Sequence, residues 1–324
     1  MKNALPLTEE IIEMDKAHHL RPYLNFDTLE EGALPIERAE GINVWDTDGK
    51  KYVDAIGGMW CVNIGAGSKE MADAIAQQVL TCNFANPFTD MTNVPATRLA
   101  KKLAELAPGD LNHVHLTCGG STANDSAFRL VQFYHACKGN KGKKHILSRT
   151  DAYHGTTYVA MSLGGKKGDR IDEMNYMGPD ENIHHLSSPN HYRYGNGLSE
   201  ADFADKLFEE FLQKVNELGG PDTIAAFLAE PIMGTGGVVL PPGNYLKRIA
   251  DYCRQNDILY WSDEVVTGFG RCGEWFVSEA LFDIQPDILI SAKGLSSAYI
   301  PLGACIFSDR IWDVISEPGH GRYF

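Results

Sequence analysis

Residues 114–136 read VHLTCGGSTANDSAFRLVQFYHA: a short apolar run, a pair of glycines, then an apolar helix. Strand, turn and helix in that order are the unit from which parallel sheets are built. The turn is also chemically suggestive. Gly119 and Gly120 allow the backbone close to a ligand, and Ser121 and Thr122 offer a helix cap. Free N–H groups and the positive end of the helix dipole then form a cradle for an anion. Taken alone, the stretch equally suits an ordinary strand-to-helix turn. It is not a dinucleotide fingerprint, because the third Gly of G-x-G-x-x-G is absent, and it is not a Walker A loop, because no G-K-[ST] follows.

The same alternation extends in both directions. Helices over 68–82 and 95–107 accompany β-rich runs at 113–117, 145–148, 224–229, 258–263 and 287–291, which predicts an α/β fold with a mostly parallel central sheet flanked by helices. Upstream the pattern differs. Residues 8–20 read as a short amphipathic helix, and 41–58 alternate apolar and polar residues about an Asp48-Gly49 turn, as an antiparallel hairpin should. The expected division is an N-terminal helix and hairpin segment at 1–58 and a large α/β domain at 59–324. Segment 164–197, rich in Gly, Asn, His and Pro, lacks periodicity and reads as a long loop near a site.

Composition narrows the possible partners. With 324 residues, 44% hydrophobic and 22% charged, the chain has material for a sizeable core and no apolar run of membrane-spanning length. A net charge of −14 argues against a nucleic-acid partner. The single basic cluster, KGNKGKK at 138–144, reads as a solvated loop. Seven cysteines without a C-x-x-C pair, and an N-terminus without an apolar signal core, fit a reduced protein of the cytoplasm. His184, His185 and His191 share no helix face and have no completing ligand set, so no metal is expected.

Further strand ends carry chemistry. ILYWSDEVVTGFGR at 258–271 closes an apolar run on Asp263-Glu264, where parallel sheets bind ligands and where a carboxylate can keep a heterocyclic nitrogen protonated. PDILISAKGLSSAYIPLGA at 286–304 delivers Lys293 from a buried strand into a Gly- and Ser-rich turn. A lysine there is costly unless it gives up its charge, as it does in a Schiff base. Tyr153-His154-Gly155 follows another strand and could stack on a ring, and Glu230-Pro231 ends yet another. Each feature alone fits a bland role: helix cap, surface lysine, core aromatic or loop acid. Together the cradle, the acid and the lysine meet the separate demands of a phosphorylated pyridine aldehyde.

These motifs closely resemble those of the class III aminotransferases, particularly the ω-amino acid:pyruvate branch. LYWSDEVVTGFGR, ISAKGLSSAYIPLGA, DAYHG and AEPIMGTGGV match blocks of that family, and the likeness runs from about residue 34 to the end. The resemblance implies a fold-type I transferase dependent on pyridoxal 5'-phosphate, with Lys293 as the Schiff-base lysine and Asp263 paired with the ring nitrogen. It implies Gly120 and Ser121 on the phosphate, Tyr153 and Val265 on the two ring faces, and Glu230 near Asp263. Trp60, in GGMWCVNIGAG, would line the substrate pocket, along with Tyr153. A small-molecule amine donor, a keto acid acceptor and a homodimer or dimer of dimers are implied as partners. Thr122 departs from the family's usual Glu. Family members also continue beyond EPGHGRYF into a small C-terminal domain, so the resemblance marks this chain as C-terminally truncated. A decarboxylase or aminomutase of the same fold, and a non-catalytic fragment, stay open as alternatives.

Overall fold

The computed structural model describes residues 7–319 and 324. Residues 1–6 and 320–323, which include the start of the charged N-terminal stretch and half of the terminal EPGHGRYF, lie outside the described residues. The chain forms two compact units, Met1–Asn83 and Phe84–Phe324.

The first unit holds a helix at Leu7–His18 and three antiparallel strands in the order β1 (Ile36–Glu40), β2 (Asn43–Asp46), β3 (Lys51–Val53). The expected hairpin turn is present. Gly49 takes φ of 79°, and the Asp46 carboxylate accepts the N–H groups of Asp48 and Lys50 at 3.1 and 2.8 Å, pinning the reversal from inside. A second helix, Lys69–Thr81, starts at Ser68, whose hydroxyl accepts from the Met71 N–H.

The second unit is built on seven strands. They are β4 (His113–Thr117), β5 (His145–Arg149), β6 (Ile183–Leu186), β7 (Ile224–Ala229), β8 (Leu259–Asp263), β9 (Ile288–Ser291) and β10 (Gly303–Phe307). Across the sheet the order is β4-β10-β9-β8-β7-β5-β6, parallel from β9 through β6, with β10 antiparallel to both neighbours. The mostly parallel α/β expectation is borne out.

Two strands were not expected from the sequence. β6 falls inside 164–197, so that segment is not a continuous loop. Its sequence, IHHL, hides a strand because its two central histidines interrupt the apolar signal. β10 reads GACIF and begins on a glycine.

Both faces of this sheet are covered, which is why its central strands read as unbroken apolar runs. In β7, Ala226 and Leu228 join a cluster with Ala123, Ala127, Leu130 and Trp261, while Phe227 and Ala229 join another with Phe203, Phe211, Ile249 and Tyr260. Alternate residues therefore feed opposite cores. Helix Gly120–Cys137 covers one face, and helices Glu200–Glu217 and Tyr245–Gln255 cover the other.

The basic cluster at 138–144 needs one correction. Lys143 is buried, its ammonium donating to the carbonyls of Pro221, Ile224 and Asn256 at 3.0, 3.4 and 3.0 Å. Three acceptors stand in for water, so this lysine is a strut between three segments rather than a solvated charge. No helix among the described residues is long and apolar enough to cross a membrane.

Candidate functional site

The carboxyl ends of β4, β5, β7 and β8, with the turn after β9, bring most of the expected residues together in the second unit. Helix Gly120–Cys137 begins on Gly119, which has no side chain to cap it. The first N–H groups of the helix, from Gly120, Ser121 and Thr122, therefore face outward without an intrahelical acceptor. Thr122 turns its hydroxyl back to the Gly119 carbonyl at 2.9 Å and leaves those donors in place.

Gly120 sits in a tight place. A Cβ there would lie 3.0 and 3.2 Å from the two methyls of Val265 and 3.7 Å from Ala292 Cβ. The cradle, the turn after Asp263 and the residue before Lys293 are thus in mutual contact. Ser121 makes a second junction. Its Oγ accepts the Thr156 N–H at 3.1 Å, and a Cβ on Gly155 would sit 2.4 Å from that same oxygen.

Tyr153 and Glu230 are joined directly. The Tyr153 N–H donates to Glu230 Oε1 at 3.1 Å, and the Gly234 N–H donates to Oε2 at 2.8 Å. Arg149, fully buried, donates to the Glu230 main-chain carbonyl at 2.7 Å. Burial pushes the Glu230 carboxyl above the usual carboxylate range, while the Gly234 N–H that it accepts pulls it the other way.

The adjacent acids Asp263 and Glu264 have different tasks. Asp263 is 4% exposed; its Oδ1 accepts the Val265 N–H at 3.1 Å, and its Oδ2 accepts from Asn124 Nδ2 at 2.9 Å and His154 Nδ1 at 2.8 Å. Glu264 is absorbed by structure. It accepts from the backbone of Val277 and Ser278 and the hydroxyls of Ser278 and Thr267. Asn124 and His154 were not singled out by sequence reasoning as supports of Asp263. The signal available for His154 was its place beside Tyr153 after a strand; for Asn124 it was a buried polar residue one turn into the helix.

Register brings the lysine to the acid. Asp263 pairs with Ile290, and the Glu264 N–H donates to the Ile290 carbonyl at 2.9 Å. Three residues later Lys293 opens a short 3-10 turn with φ of 43°, followed by Ser297 and Ala298 at 50° and 63°. Three non-glycine residues in the left-handed region within six positions store strain of the kind found at functional sites.

Trp60 belongs to the other unit. There it takes φ of 58°, after Gly57 and Gly58 at 68° and 66°. The three histidines considered for a metal diverge: His184 meets His145, His185 meets the Leu163 carbonyl, and His191 meets the Leu198 carbonyl. Among the described residues no group of three or more His, Cys, Asp or Glu could hold a metal ion. None of the seven cysteines forms a disulfide.

The arrangement offers an uncapped helix start for a phosphate, a buried carboxylate with a lone pair to spare and a lysine on a strained turn. A Cβ on Gly120 would close the cradle against Val265, so the space is kept by the sequence itself. These features fit a phosphorylated pyridine aldehyde.

Comparison with known proteins agrees. The family described as Aminotransferase class-III matches residues 28–324. The chain is 40% identical over 313 residues to the putrescine--pyruvate aminotransferase of Pseudomonas aeruginosa, covering 96% of this chain and 68% of that protein. It is similar to the (S)-enantioselective ω-transaminase of Thermomicrobium roseum, with a TM-score of 0.91, 39% identity and coverage of 98% of this chain and 69% of that one. It is likewise similar to the ω-transaminase of Pseudomonas jessenii in complex with PMP, with a TM-score of 0.91, 38% identity and coverage of 97% and 70%.

Proposed function

Because the chain belongs to the class III aminotransferases, a family dependent on pyridoxal phosphate, we propose that it moves an amino group from an ω-amino acid or amine donor to pyruvate or a similar keto acid. The reading is supported most by one juxtaposition: Gly120 packs against both Val265 and Ala292, bringing cradle, acid turn and lysine turn to one place. The names of the relatives, putrescine--pyruvate aminotransferase and ω-transaminase, support the donor and acceptor classes.

Bound pyridoxal phosphate supplies an aldehyde that condenses with amines and a ring that takes up the electron pair released at the donor carbon. The chain's residues do the rest. Lys293 would hold the aldehyde carbon of the group, and its amine, once released, would move the proton of the donor carbon. Asp263 holds a proton on the ring nitrogen, and its burial keeps water from weakening that attraction. The N–H groups of Gly120 and Ser121 bind the phosphate with the helix dipole behind them. Tyr153 and Val265 cover the two faces of the ring, and Glu230 fixes the Tyr153 backbone beside it. The working form is a homodimer or a dimer of dimers in the cytoplasm.

A direct test is to incubate the protein with pyridoxal phosphate, pyruvate and a panel of diamines, ω-amino acids and aryl amines. Alanine formation from at least one donor is expected. Carbon dioxide release without alanine would assign a decarboxylase instead, and an isomerised donor would assign an aminomutase.

A further inference from the structure

We infer that Asn124 and His154, with Ser148 behind His154, are positioning residues: the first two saturate one oxygen of Asp263, Oδ2, and so reserve the other, Oδ1, for the ring nitrogen of the cofactor. The inference rests on the assignment of Asp263 proposed above.

Hydrogen-bond accounting carries it. An ionised carboxylate has about four lone-pair positions. Oδ2 receives Asn124 Nδ2 and His154 Nδ1, and Oδ1 receives only the Val265 N–H. The remaining acceptor position is therefore on Oδ1.

The amide orientation of Asn124 is determined by its partners. Its Nδ2 lies 2.9 Å from Asp263 Oδ2 and 2.7 Å from the His154 carbonyl, and both partners only accept. The nitrogen must occupy that side. Asn124 Oδ1, buried, has no hydrogen-bond partner among the described residues.

The tautomer of His154 follows by the same logic. An ionised Asp263 can only accept, so Nδ1 carries the hydrogen. Nε2 lies 3.4 Å from Ser148 Oγ, whose hydroxyl can donate to it. A hydroxyl can also accept there, so the hydrogen on Nδ1 is the one that the geometry assigns. The titratable groups facing His154 are Asp263, Glu230 and His185, with the Arg149 charge beside Glu230.

Ser148, His154 and Asp263 thus have the connectivity of a hydrolytic triad without its access. Ser148 is 0% exposed, so no ester reaches its hydroxyl. The chain of donors runs inward, toward Asp263. It is assembled from β5, the loop after it and helix Gly120–Cys137, with Asn124 and His154 lying 139 and 109 positions from Asp263.

Two measurements test this. In the intact protein labelled with 15N-histidine, the His154 signal, identified by its loss in His154→Leu, should show a protonated Nδ1. A bare Nδ1 would overturn the inference without touching the cofactor assignment. The second measurement compares affinity for pyridoxal phosphate with affinity for its 1-deaza analogue, which lacks the ring nitrogen. The unaltered protein should prefer pyridoxal phosphate. His154→Leu should shrink that preference by roughly tenfold or more, the scale of a hydrogen bond to a charged group. His154→Asn, whose amide nitrogen stands near the place of Nδ1, should recover part of it. Equal weakening of both ligands by His154→Leu would reduce His154 to a packing role. No preference in the unaltered protein would remove Asp263 from the ring nitrogen and take this inference with it.

Discussion

Gly155→Ala probes the junction between the loop at 153–156 and the start of helix Gly120–Cys137. Gly155 has φ of 137°, a conformation L side chains rarely adopt, and an added Cβ would fall 2.4 Å from Ser121 Oγ and 2.7 Å from Ser121 Cα. The clash with the Ser121 backbone is decisive, because a main-chain carbon cannot rotate away as a hydroxyl can. Opening it to an ordinary 3.4 Å moves the start of helix Gly120–Cys137, the loop at 153–156, or both. Overpacking costs about 1–3 kcal/mol and strained backbone about 1–3 kcal/mol, so a total of about 2–6 kcal/mol is expected. At roughly 2–4 °C per kcal/mol for a unit of this size, Tm should fall by about 5–20 °C. Cofactor affinity should fall too, because the Thr156 N–H to Ser121 Oγ bond of 3.1 Å sits at the point of collision. Thermal unfolding of the protein without cofactor reads the first effect, and a fluorescence titration with pyridoxal phosphate reads the second. Gly168→Ala is the control: its Cβ would meet no atom within 4 Å, so a change within about 0.5 kcal/mol is expected. A Gly155→Ala protein with unchanged Tm and unchanged affinity would refute the coupling.

Other consequences can be measured separately. Borohydride reduction in the presence of pyridoxal phosphate should attach the cofactor to the peptide containing Lys293, and Lys293→Ala should abolish this; stable attachment to another lysine would displace the assignment. Lys143→Met strands the carbonyls of Pro221, Ile224 and Asn256 and should cost about 2–4 kcal/mol in urea unfolding, whereas Lys144→Met beside it should cost little. His135, 2% exposed, is held down to about 4 by burial. Its folded value lies below the unfolded value, so the unfolded chain binds more protons between about pH 6.5 and 4, and stability falls as pH falls through that window. The loss is at most about 3 kcal/mol for this one group. Comparing urea midpoints at pH 7 and pH 4.5 should show a smaller drop in His135→Leu, and an identical drop would discount the histidine.

The central strands were legible because burial on both faces leaves an unbroken apolar run, and the chemistry was legible where such a run ended in a charge. Asp263 and Lys293 are visible for that reason. What escaped has a common cause. Lys143 is satisfied by backbone carbonyls contributed from positions 221, 224 and 256, and carbonyls carry no residue identity to read. β6 escaped because His184 turns to His145 on the neighbouring strand, a partner that only strand pairing reveals. Asn124 and His154 are polar residues whose task is defined by an atom more than a hundred positions away.

The choice between Asp263 and Glu264 shows where pattern becomes decisive once the strand is known. In the sequence the two acids are adjacent and chemically alike. On a strand, however, neighbours point to opposite faces. Asp263 follows Leu259 and Trp261, which pack with Ala123 and Ala127 of helix Gly120–Cys137, so its carboxylate emerges on the helix's side and meets Asn124. Glu264 follows Ser262, and both reach Ser278: Ser262 Oγ lies 2.8 Å from Ser278 Oγ, and Glu264 accepts from the Ser278 N–H and hydroxyl. The period of two thus sends one acid to the cradle and ties the other to the start of helix Val277–Phe282. Inserting one residue into β8 would exchange their faces, placing Glu264's longer arm under the cradle and burying Asp263 against Ser278 without the reach to satisfy its donors. The site therefore depends on the phase of this strand as much as on the identity of its acids.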